Sequence, residues 1–369
     1  MIEPSPGPPP AFGEAHNRRQ KARAAGLHPD NWYAVEYDRA LKRGQTLEVQ
    51  FWNRSIALFR DENGAIHAIE NRCAHRQVKL SLGEVHGCNL VCPYHGWTYD
   101  GEGRVTEIPH ELFGRPMPRF RVPSYPVQVR YGLIWIFPGN PVLAEGKSIP
   151  EIPELQGENR WACVPVDFTW DAHHSMIIDN VSDFTHAHLH RRYRPFADAK
   201  LTRYEAVGDK VFLSYDTQVG RGRFSGLFVD RRRVKTDQMD LCFDYPYQRS
   251  NTDNRIKHWC FVLPRSERST RVFFLFYFDA LKIPFLPIRI PQRFMSLVLK
   301  IANRLLIRPL LSQDGFAVEA EQAAYEKHWN APLAELNPAV GLFQQLIIRR
   351  WEEYLNVSER ESISIAQAQ

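Results

Sequence analysis

The strongest constraint on the fold lies between Cys73 and His95, where cysteine and histidine occur in two short pairs. One residue separates Cys73 from His75, and after a gap the length of a hairpin two residues separate Cys92 from His95. Pairs this short can place all four side chains around one small centre when each pair lies on a turn between strands. The stretch therefore predicts a metal site supported by β-structure.

Two kinds of metal centre use two cysteines and two histidines. A structural zinc ion takes such a set in a tetrahedral arrangement. A two-iron two-sulfur cluster can take the same set, with the histidines bound to one of its irons. The spacing of the ligands does not separate these alternatives. A zinc-stabilised binding module would be colourless and would show no redox chemistry.

The residues around the two pairs favour the iron–sulfur alternative. Residues 73–76 read Cys-Ala-His-Arg, and residues 92–97 read Cys-Pro-Tyr-His-Gly-Trp. They resemble the Cys-x-His-Arg and Cys-Pro-x-His-Gly-Trp boxes of Rieske domains in ring-hydroxylating oxygenases. The resemblance implies a [2Fe-2S] cluster whose histidines face the surface where electrons arrive and leave. The implied ligands are Cys73 and Cys92 on one iron and His75 and His95 on the other.

Two further residues of the same stretch, His86 and Cys88, match no position of the boxes and stay unassigned. Three of the six cysteines crowd into this stretch, which favours metal over disulfides. The N-terminus lacks the charged-then-apolar pattern of a secretory signal. We therefore expect a reducing, cytoplasmic compartment.

The composition is that of a folded chain with about two domains. The chain has 369 residues, of which 44% are hydrophobic and 24% are charged, values typical of globular proteins. The 47 basic and 42 acidic residues give a net charge of +5, and this balance is too even to favour a nucleic-acid partner.

We predict an α+β protein in three consecutive parts. Residues 1–30 form a solvated tail and lead-in segment, in which a Pro-rich run is followed by a basic stretch, Arg18 to Arg23, with the pattern of a possible short helix. Residues 31–143 alternate in short runs between turn residues and form an all-β Rieske domain. Residues 144–369 form a helix-grip-like catalytic domain with an antiparallel sheet and helices. Its predicted helices span 173–190 and much of 291–354, and its predicted strands span 201–215, 239–247, 257–263 and 271–278.

A second group of histidines lies inside the predicted helix 173–190. His186 and His190 are four residues apart, which on a helix places both imidazoles on one face. With a distant carboxylate they would form the facial triad of non-haem ferrous oxygenases, which leaves coordination positions open for dioxygen. Histidine-rich helices are also common surface features, so the pattern alone leaves both interpretations open.

The resemblance to Rieske oxygenases extends to this segment. The family pattern Asn-x-x-Asp-x-x-His, followed by a second histidine four or five residues on, matches Asn180, Asp183 and His186. A spacing of five falls on Arg191, which cannot bind a metal, whereas a spacing of four falls on His190. The resemblance therefore implies His186 and His190 as ligands of a mononuclear ferrous iron.

The third ligand is implied by a late segment of the chain. Residues 312–322 resemble the family segment in which an Asp is followed by a Glu five residues later, and this implies Asp314 as the ligand. Glu319 and Glu321 are rivals, but acidic residues on an amphipathic helix are usually solvent-facing or paired. His188 is a poorer choice than His190 because it would point off the helix face.

The resemblance also implies partners. Asp183 would bridge a cluster histidine of one subunit to an iron-bound histidine of its neighbour, with Asn180 in the same site. Such a bridge requires a head-to-tail ring, most simply a homotrimer. A separate ferredoxin or NAD(P)H-dependent reductase is implied too, because no Gly-rich dinucleotide fingerprint follows a strand.

The implied activity is monooxygenation, either hydroxylation or oxidative demethylation, of an apolar or aromatic small molecule with O2 as co-substrate. Cis-dihydroxylation of an aromatic ring is the close alternative. A Rieske electron carrier without oxygenase activity is more distant, because it needs no second iron site. The substrate is not identified by the sequence. Five aromatic residues could line its pocket or belong to the core: Phe224, Phe228, Tyr245, Phe274 and Phe276.

The segment 291–311 combines a basic face with an apolar stripe. Lys300, Arg304 and Arg308 recur every four residues, beside a stripe that includes Ile301 and Leu305. Such a helix can lie on an anionic membrane surface, or it can pack its stripe on the core and leave its basic face in solvent. No apolar run is long enough to span a bilayer. A peripheral membrane contact is therefore one of two expectations for this segment.

Overall fold

The computed structural model describes residues 5, 7–157, 161–193, 195–219, 237–252, 254, 256–278 and 292–368. The chain forms two compact units. The first comprises His28–Pro150 with Leu263–Ser266, and the second comprises Met1–Leu27, Glu151–Val262 and Glu267–Gln369. Strands and short 3-10 turns make up the first unit, whereas a large sheet and helices make up the second. This arrangement confirms the predicted α+β class.

The first unit contains three small antiparallel sheets, in the strand orders β1-β11-β10, β2-β3-β4-β9 and β5-β6-β7-β8. Its strands are β1 (Tyr33–Tyr37), β2 (Gln45–Phe51), β3 (Arg54–Arg60), β4 (Ile66–Glu70), β5 (Glu84–His86), β6 (Asn89–Val91), β7 (Thr98–Tyr99), β8 (Val105–Glu107), β9 (Ser124–Tyr125), β10 (Val127–Arg130) and β11 (Leu133–Ile136). The two Cys–His pairs lie on the loops that follow β4 and β6.

The cysteines of these loops are part of the hydrophobic core of the unit. Cys73 and Cys92 are buried in one cluster with Phe59 from β3, Leu90 from β6 and Tyr99 from β7. Side chains from two sheets therefore fix both loops, because close packing leaves a core side chain little freedom to move.

The second unit contains one antiparallel sheet of seven strands, in the order β12-β18-β17-β16-β15-β14-β13. The strands are β12 (Ala162–Trp170), β13 (Phe196–Val207), β14 (Lys210–Val219), β15 (Asp237–Asp244), β16 (Tyr247–Thr252), β17 (Ile256–Ser266) and β18 (Ser269–Phe278). The predicted strand 201–215 is two strands of a hairpin. Gly208 lies at its turn with φ +57°, a conformation that glycine adopts without steric cost.

Five α-helices are present among the described residues: α1 (Arg18–Ala24), α2 (His174–Ser182), α3 (Gln292–Ala302), α4 (Arg308–His328) and α5 (Pro338–Ala368). A π-helical turn, Asn303–Ile307, joins α3 to α4. The last helix, α5, packs against α2, β13 and β14, and the ring of Phe343 meets the ring of Phe243 edge-on at 5.8 Å. Helix α5 thereby covers one end of the sheet.

The predicted single helix 173–190 is wrong. Helix α2 ends at Ser182, and a 3-10 turn at Phe184–His186 and further tight turns follow it. Asp183 stops the helix because its backbone is extended and its Oδ1 accepts a hydrogen bond from the Thr185 N–H at 2.9 Å. A short acidic side chain that bonds the backbone locally competes with helix continuation.

The N-terminal segment also differs from its prediction. Helix α1 packs against α2 and α5, and the Arg23 side chain is buried rather than solvated. Its guanidinium lies 2.8 Å from Asp179 Oδ2 of α2 and 2.9 Å from Glu321 Oε1 of α4. Gln344 of α5 donates to the same Asp179 carboxylate at 3.0 Å. Residues with the sequence pattern of a basic tail therefore connect helices of the second unit.

Candidate metal centres and active-site cavity

Three side chains that are distant in sequence meet near the beginning of α4. His186 Nε2 lies 3.5 Å and His190 Nε2 lies 3.2 Å from Asp314 Oδ1. The ligand atoms of all three residues lie within 4.8 Å of one another, and His190 and Asp314 are buried. Two imidazoles and one carboxylate at this separation can bind a single ion from one side.

A glycine allows the helix that carries Asp314 to approach the sheet. A Cβ atom at Gly315 would lie 2.3 Å from Nε1 of Trp170 on β12, which is closer than any side chain tolerates. Close contact between α4 and the indole therefore requires glycine at this position. The same contact fixes the position of the Asp314 side chain relative to the two histidines.

The remaining nitrogen of each histidine has a partner of its own. His190 Nδ1 lies 3.0 Å from Oε1 of Gln313, and the ring of His186 hydrogen-bonds the backbone carbonyl of Asp183. Metal-binding histidines usually engage their second nitrogen in this way, which fixes the tautomer and the ring plane. Gln313 had no recognisable sequence signal, because a glutamine beside an aspartate on a helix is common.

The two imidazoles respond differently to the Asp314 carboxylate. Burial lowers the pKa of His186, and the nearby Asp314 charge offsets this only in part. Burial also acts to lower the pKa of His190, but hydrogen bonds to Asp314 and Gln313 outweigh it and raise that pKa. His190 is thus the histidine more strongly coupled to the carboxylate.

The rival ligands lie elsewhere. His188 is exposed and its Nε2 contacts Arg191 at 3.2 Å. Glu319 accepts a hydrogen bond from the Asp171 N–H at 3.1 Å, and Glu321 is paired with Arg23. The structure therefore brings together His186, His190 and Asp314, and it gives the rivals other partners.

A cavity of about 220 Å³ opens beside the three side chains. More than half of the residues that line it are apolar, and Asn180 at the end of α2 is one of its polar members. The rings of Phe184 and Phe196 lie edge-on at 4.9 Å, and Phe196 also meets both histidine rings edge-on. Apolar walls of this kind suit a hydrocarbon ligand and keep water away from His186, His190 and Asp314.

The five aromatic residues that could line the pocket have three different positions in the structure. Phe274 and Phe276 line the cavity. Tyr245 is buried and packs its ring edge-on against Phe243 at 5.8 Å, and it is not among the lining residues. Phe224 and Phe228 lie outside the described residues.

The first-unit site is arranged around two buried thiols. Burial, opposed by hydrogen bonds from the Tyr94 and His95 backbone N–H groups, raises the pKa of Cys92, and the neighbouring Cys73 thiol adds to the rise. Backbone donors aimed at a sulfur stabilise a thiolate once a metal binds it. The Tyr99 hydroxyl lies 3.2 Å from Cys73 Sγ and accepts from the Ala74 N–H at 2.9 Å.

The histidines of this site lie side by side at its outer edge. The rings of His75 and His95 are 4.5 Å apart, and His75 stacks on Trp97 at 4.8 Å. The Nδ1 atom of His75 is buried and has no hydrogen-bond partner among the described residues. A buried polar nitrogen without a partner is costly, so this nitrogen is available to bind a metal.

A single zinc ion fits this set less well than a two-iron cluster. Tetrahedral zinc draws its ligand atoms close together. Over the part of the chain that the structure describes, the only trio of metal-ligating side chains within 4.8 Å is the His186, His190 and Asp314 group. No three ligand atoms of the Cys–His set form such a group among the described residues.

Sequence reasoning missed two supporting residues of this site. Tyr99 resembles an ordinary core aromatic of a strand, and His110, whose Nε2 accepts from the Trp97 indole N–H at 3.1 Å, lies in an irregular loop. The unassigned residues stay apart from the site's interior. Cys88 is exposed with its Sγ 3.1 Å from Nδ2 of Asn63, and His86 is exposed on β5.

Comparisons with known proteins agree with this geometry. Residues 31–126 match the family model of the Rieske [2Fe-2S] domain, and residues 170–357 match the vanillate O-demethylase oxygenase C-terminal domain. A 4β-methylsterol monooxygenase of Methylococcus capsulatus is 44% identical over 345 residues, which cover 93% of this chain and 94% of that protein. The oxygenase component of dicamba O-demethylase from Stenotrophomonas maltophilia is 32% identical over 48% of this chain and 52% of that protein.

The same fold occurs in a crystal structure of dicamba monooxygenase bound to 3,6-dichlorosalicylic acid. That structure superposes with a TM-score of 0.69 at 22% identity, covering 92% of this chain and 99% of that one. No described helix is both long and apolar enough to cross a bilayer. Two family models in the order of the two units, and a relative similar over nearly its whole length, show that the chain is a Rieske non-haem iron oxygenase of the monooxygenase type, with one [2Fe-2S] cluster and one mononuclear iron as cofactors.

Proposed function

We propose that this oxygenase hydroxylates a methyl group on a fused-ring lipid related to a 4-methylsterol. One oxygen atom of O2 enters a C–H bond to give C–OH, and the other leaves as water. Two electrons and two protons complete the balance, and a separate reductase or ferredoxin supplies the electrons. The observation that supports this substrate class is the 44% identity to a 4β-methylsterol monooxygenase over 94% of that protein.

The cavity supports this class of ligand. Its walls are mostly apolar, and none of the described residues that line it is a lysine or an arginine. A neutral hydrocarbon therefore suits it better than an anion, which would be desolvated there without a counter-charge. A four-ring lipid exceeds about 220 Å³, so the cavity would receive the end that carries the reacting methyl group.

We assign His186, His190 and Asp314 as the ligands of the mononuclear iron. Two neutral imidazoles and one carboxylate are the ligand set of ferrous oxygenases with open coordination positions. When bound, this iron supplies the activation of dioxygen. The chain's own contribution is orientation: Gln313 and the Asp183 carbonyl turn the Nε2 atoms of the histidines toward Asp314. Asn180 adds a polar amide to the cavity wall.

We assign Cys73, His75, Cys92 and His95 as the ligands of the [2Fe-2S] cluster. The buried thiols and the partnerless Nδ1 of His75 support this assignment. The cluster supplies one-electron transfer when it is bound.

Product analysis tests the proposed function. The reduced holoenzyme, a surrogate ferredoxin and reductase, and a sterol with a 4β-methyl group are incubated under ¹⁸O2. We expect a hydroxymethyl product that contains a single labelled oxygen atom. Recovery of the sterol unchanged, or a diol product with two labelled oxygen atoms, would contradict the proposal.

We propose that Asp183 carries electrons between subunits of a homotrimer. Its carboxylate caps the turn that leads to His186, and its backbone carbonyl supports that histidine. Asp183→Asn keeps an oxygen for the Thr185 N–H, so the turn should survive while the charge is lost. We expect about 10- to 100-fold slower turnover with both metals retained. Rapid mixing with reduced ferredoxin, followed by cluster reoxidation, measures this transfer directly.

Asp171→Asn is the matched control, because Asp171 is exposed and precedes α2. The cluster of Asp171→Asn should be reoxidised at the wild-type rate. A normal rate in Asp183→Asn, or a monomer by light scattering, would contradict the bridging role.

We expect Tyr99→Phe to lower the reduction potential of the cluster. Its hydroxyl, 3.2 Å from Cys73 Sγ, can donate to the thiolate and stabilise the reduced, more negative cluster. Loss of a hydrogen bond worth ~1 kcal/mol shifts a one-electron potential by roughly 40 mV. Protein-film voltammetry measures the shift, and Tyr94→Phe, an exposed tyrosine in the neighbouring loop, is the control. An unchanged potential in Tyr99→Phe would show that the hydroxyl does not donate to the sulfur.

We propose that α3 and the following turn bring the enzyme to an anionic membrane surface. Met295, Leu299 and Ala302 of this segment are buried, so the core-packing face is already defined. Large apolar side chains are nevertheless exposed on the rest of the segment: Phe294, Leu297, Ile301 and Leu305. Lys300 and Arg304 are exposed beside them. Apolar side chains next to cations match the interface of a bilayer with acidic headgroups.

Co-sedimentation with phosphatidylglycerol vesicles at low salt tests this contact. We expect the wild-type protein to pellet with the vesicles and Leu297→Glu to remain in solution, because the charge opposes insertion. Leu336→Glu, at a still more exposed leucine of the loop before α5, should still pellet. Equal recovery of the wild-type protein and Leu297→Glu in the vesicle pellet would contradict the proposed membrane contact of α3.

A further inference from the structure

A histidine and a serine form a polar pair inside the apolar cavity, away from the three metal-ligating side chains in sequence. Ser250 of β16 and His258 of β17 are directly opposite each other in the antiparallel register, and both line the cavity. Ser250 Oγ lies 2.5 Å from His258 Nδ1 and 3.2 Å from its Nε2. The shorter contact is the hydrogen bond, in which the hydroxyl donates to Nδ1 or accepts from it according to the imidazole tautomer.

The surroundings of this pair are hydrocarbon. The His258 ring lies 5.0 Å from the Phe276 ring and 6.4 Å from the Phe274 ring. Burial lowers the pKa of His258 to about 4, so the imidazole is neutral near pH 7. Among the described residues Ser250 is its only hydrogen-bond partner. A neutral imidazole has one donor and one acceptor nitrogen, so the second nitrogen retains the capacity to bind another polar atom.

A polar nitrogen without a partner is unfavourable in apolar surroundings, and the second imidazole nitrogen of His258 has no partner besides Ser250 among the described residues. Packing alone would be satisfied by an aliphatic residue at position 258, as at the neighbouring lining position Ile256. The cavity wall lacks lysine and arginine among its described residues, so the pair is not part of a carboxylate or sulfonate site. Its chemistry is complementary to one neutral oxygen, either a hydroxyl or a ketone.

We propose that His258 and Ser250 bind the single neutral oxygen of an otherwise hydrocarbon ligand and so determine which carbon faces the metal-ligating side chains. This proposal rests on the proposed function, and it identifies the residues that would hold the oxygen of the substrate. In a 4-methylsterol the 3-oxygen sits on the carbon next to the one that bears the methyl group. A hydrogen bond at that oxygen therefore restricts the position of the methyl hydrogens more than contacts with the distant rings do.

Equilibrium dialysis of the oxidised holoenzyme tests this anchor without turnover. The probes are a 4β-methylsterol with a free 3-hydroxyl and the same sterol without the 3-oxygen, both carried in cyclodextrin. We expect the wild-type protein to bind the hydroxylated sterol about tenfold more tightly than the deoxy sterol. His258→Phe should bind both with similar affinity, because the ring is kept while its nitrogens are lost. Ser250→Ala should reduce the preference in part.

Two further variants separate hydrogen bonding from packing. His258→Gln retains a neutral donor and acceptor and should recover part of the preference. Thr252→Val removes a hydroxyl from the same strand and the same cavity wall, outside the pair, and should keep the full ratio of affinities. Visible absorption of the cluster and total iron verify that each variant is folded and loaded.

The outcomes distinguish the two proposals. Equal affinity of the wild-type protein for the two probes, or an unchanged ratio in His258→Phe, overturns the anchor while sterol binding leaves the proposed function standing. Failure of the wild-type protein to bind either sterol overturns both the substrate class and the anchor.

Discussion

Replacing His190 by alanine will reduce total iron from about three to about two atoms per chain and leave acid-labile sulfide at about two. Asp314 and His186 then remain as a pair, and one imidazole with one carboxylate does not hold a ferrous ion against exchange with water. The expected activity on the sterol probe is nil, because the chemistry needs the mononuclear metal. The visible spectrum of the cluster will be unchanged, since its ligands lie in the other unit.

The chain provides its own control two residues earlier. His188 is exposed, contacts Arg191 and stands outside the group of converging ligand atoms. His188→Ala should therefore retain about three irons and full activity. Iron analysis by plasma mass spectrometry of protein purified without oxygen distinguishes the two variants. Normal iron and turnover in His190→Ala would show that another side chain completes the site.

The two site predictions from sequence differ in what they depend on. The Cys73–His75 and Cys92–His95 pairs are short-range motifs, so their loops could be recognised without knowing how the strands pair. His186 and His190 were grouped on the assumption of one continuous helix, which is wrong. Tight turns bring the two imidazoles together nevertheless, because four residues span only a short distance in either backbone conformation.

Contacts that depend on strand register or on helix packing could not be predicted. Ser250 and His258 face each other only because β16 and β17 pair in one particular register. The predicted strand 257–263 contains His258, whereas Ser250 lies outside the predicted strands, and periodicity carries no information on cross-strand partners. Gln313 and Tyr99 were missed for the same reason, since each acts on a residue far away in the sequence.

The most instructive error concerns the basic stretch before residue 27. A run of arginines after a Pro-rich segment is typical of a solvated tail. Helix α1 instead buries Arg23 between two carboxylates, one on the helix that leads to His186 and one on the helix that carries Asp314. The partners that satisfy the buried guanidinium, Asp179, Glu321 and Ser175, are all distant in sequence, so the local sequence could not reveal this burial.

We expect Arg23→Met to destabilise the catalytic unit by about 3–5 kcal/mol, the usual cost of removing one partner from a buried ion pair. Methionine fills much of the volume but leaves the buried Asp179 without its cation. Burial raises the pKa of Asp179 to about 6 even with Arg23 beside it, so this carboxyl is already poorly solvated. Loss of the link between α2 and α4 should also weaken iron retention, because these helices position the ligands.

Lys21 supplies the matched control, since it lies on the same helix and forms a largely exposed pair with Glu352. Lys21→Met should change stability by less than about 1 kcal/mol. Urea unfolding followed by far-UV circular dichroism compares the two variants.

Combining Arg23→Met with Asp179→Asn should recover part of the lost free energy of unfolding, because the neutral amide removes the buried charge. If Arg23→Met lowered the free energy of unfolding by no more than Lys21→Met does, the buried ion pair would not stabilise the packing of α2 and α4.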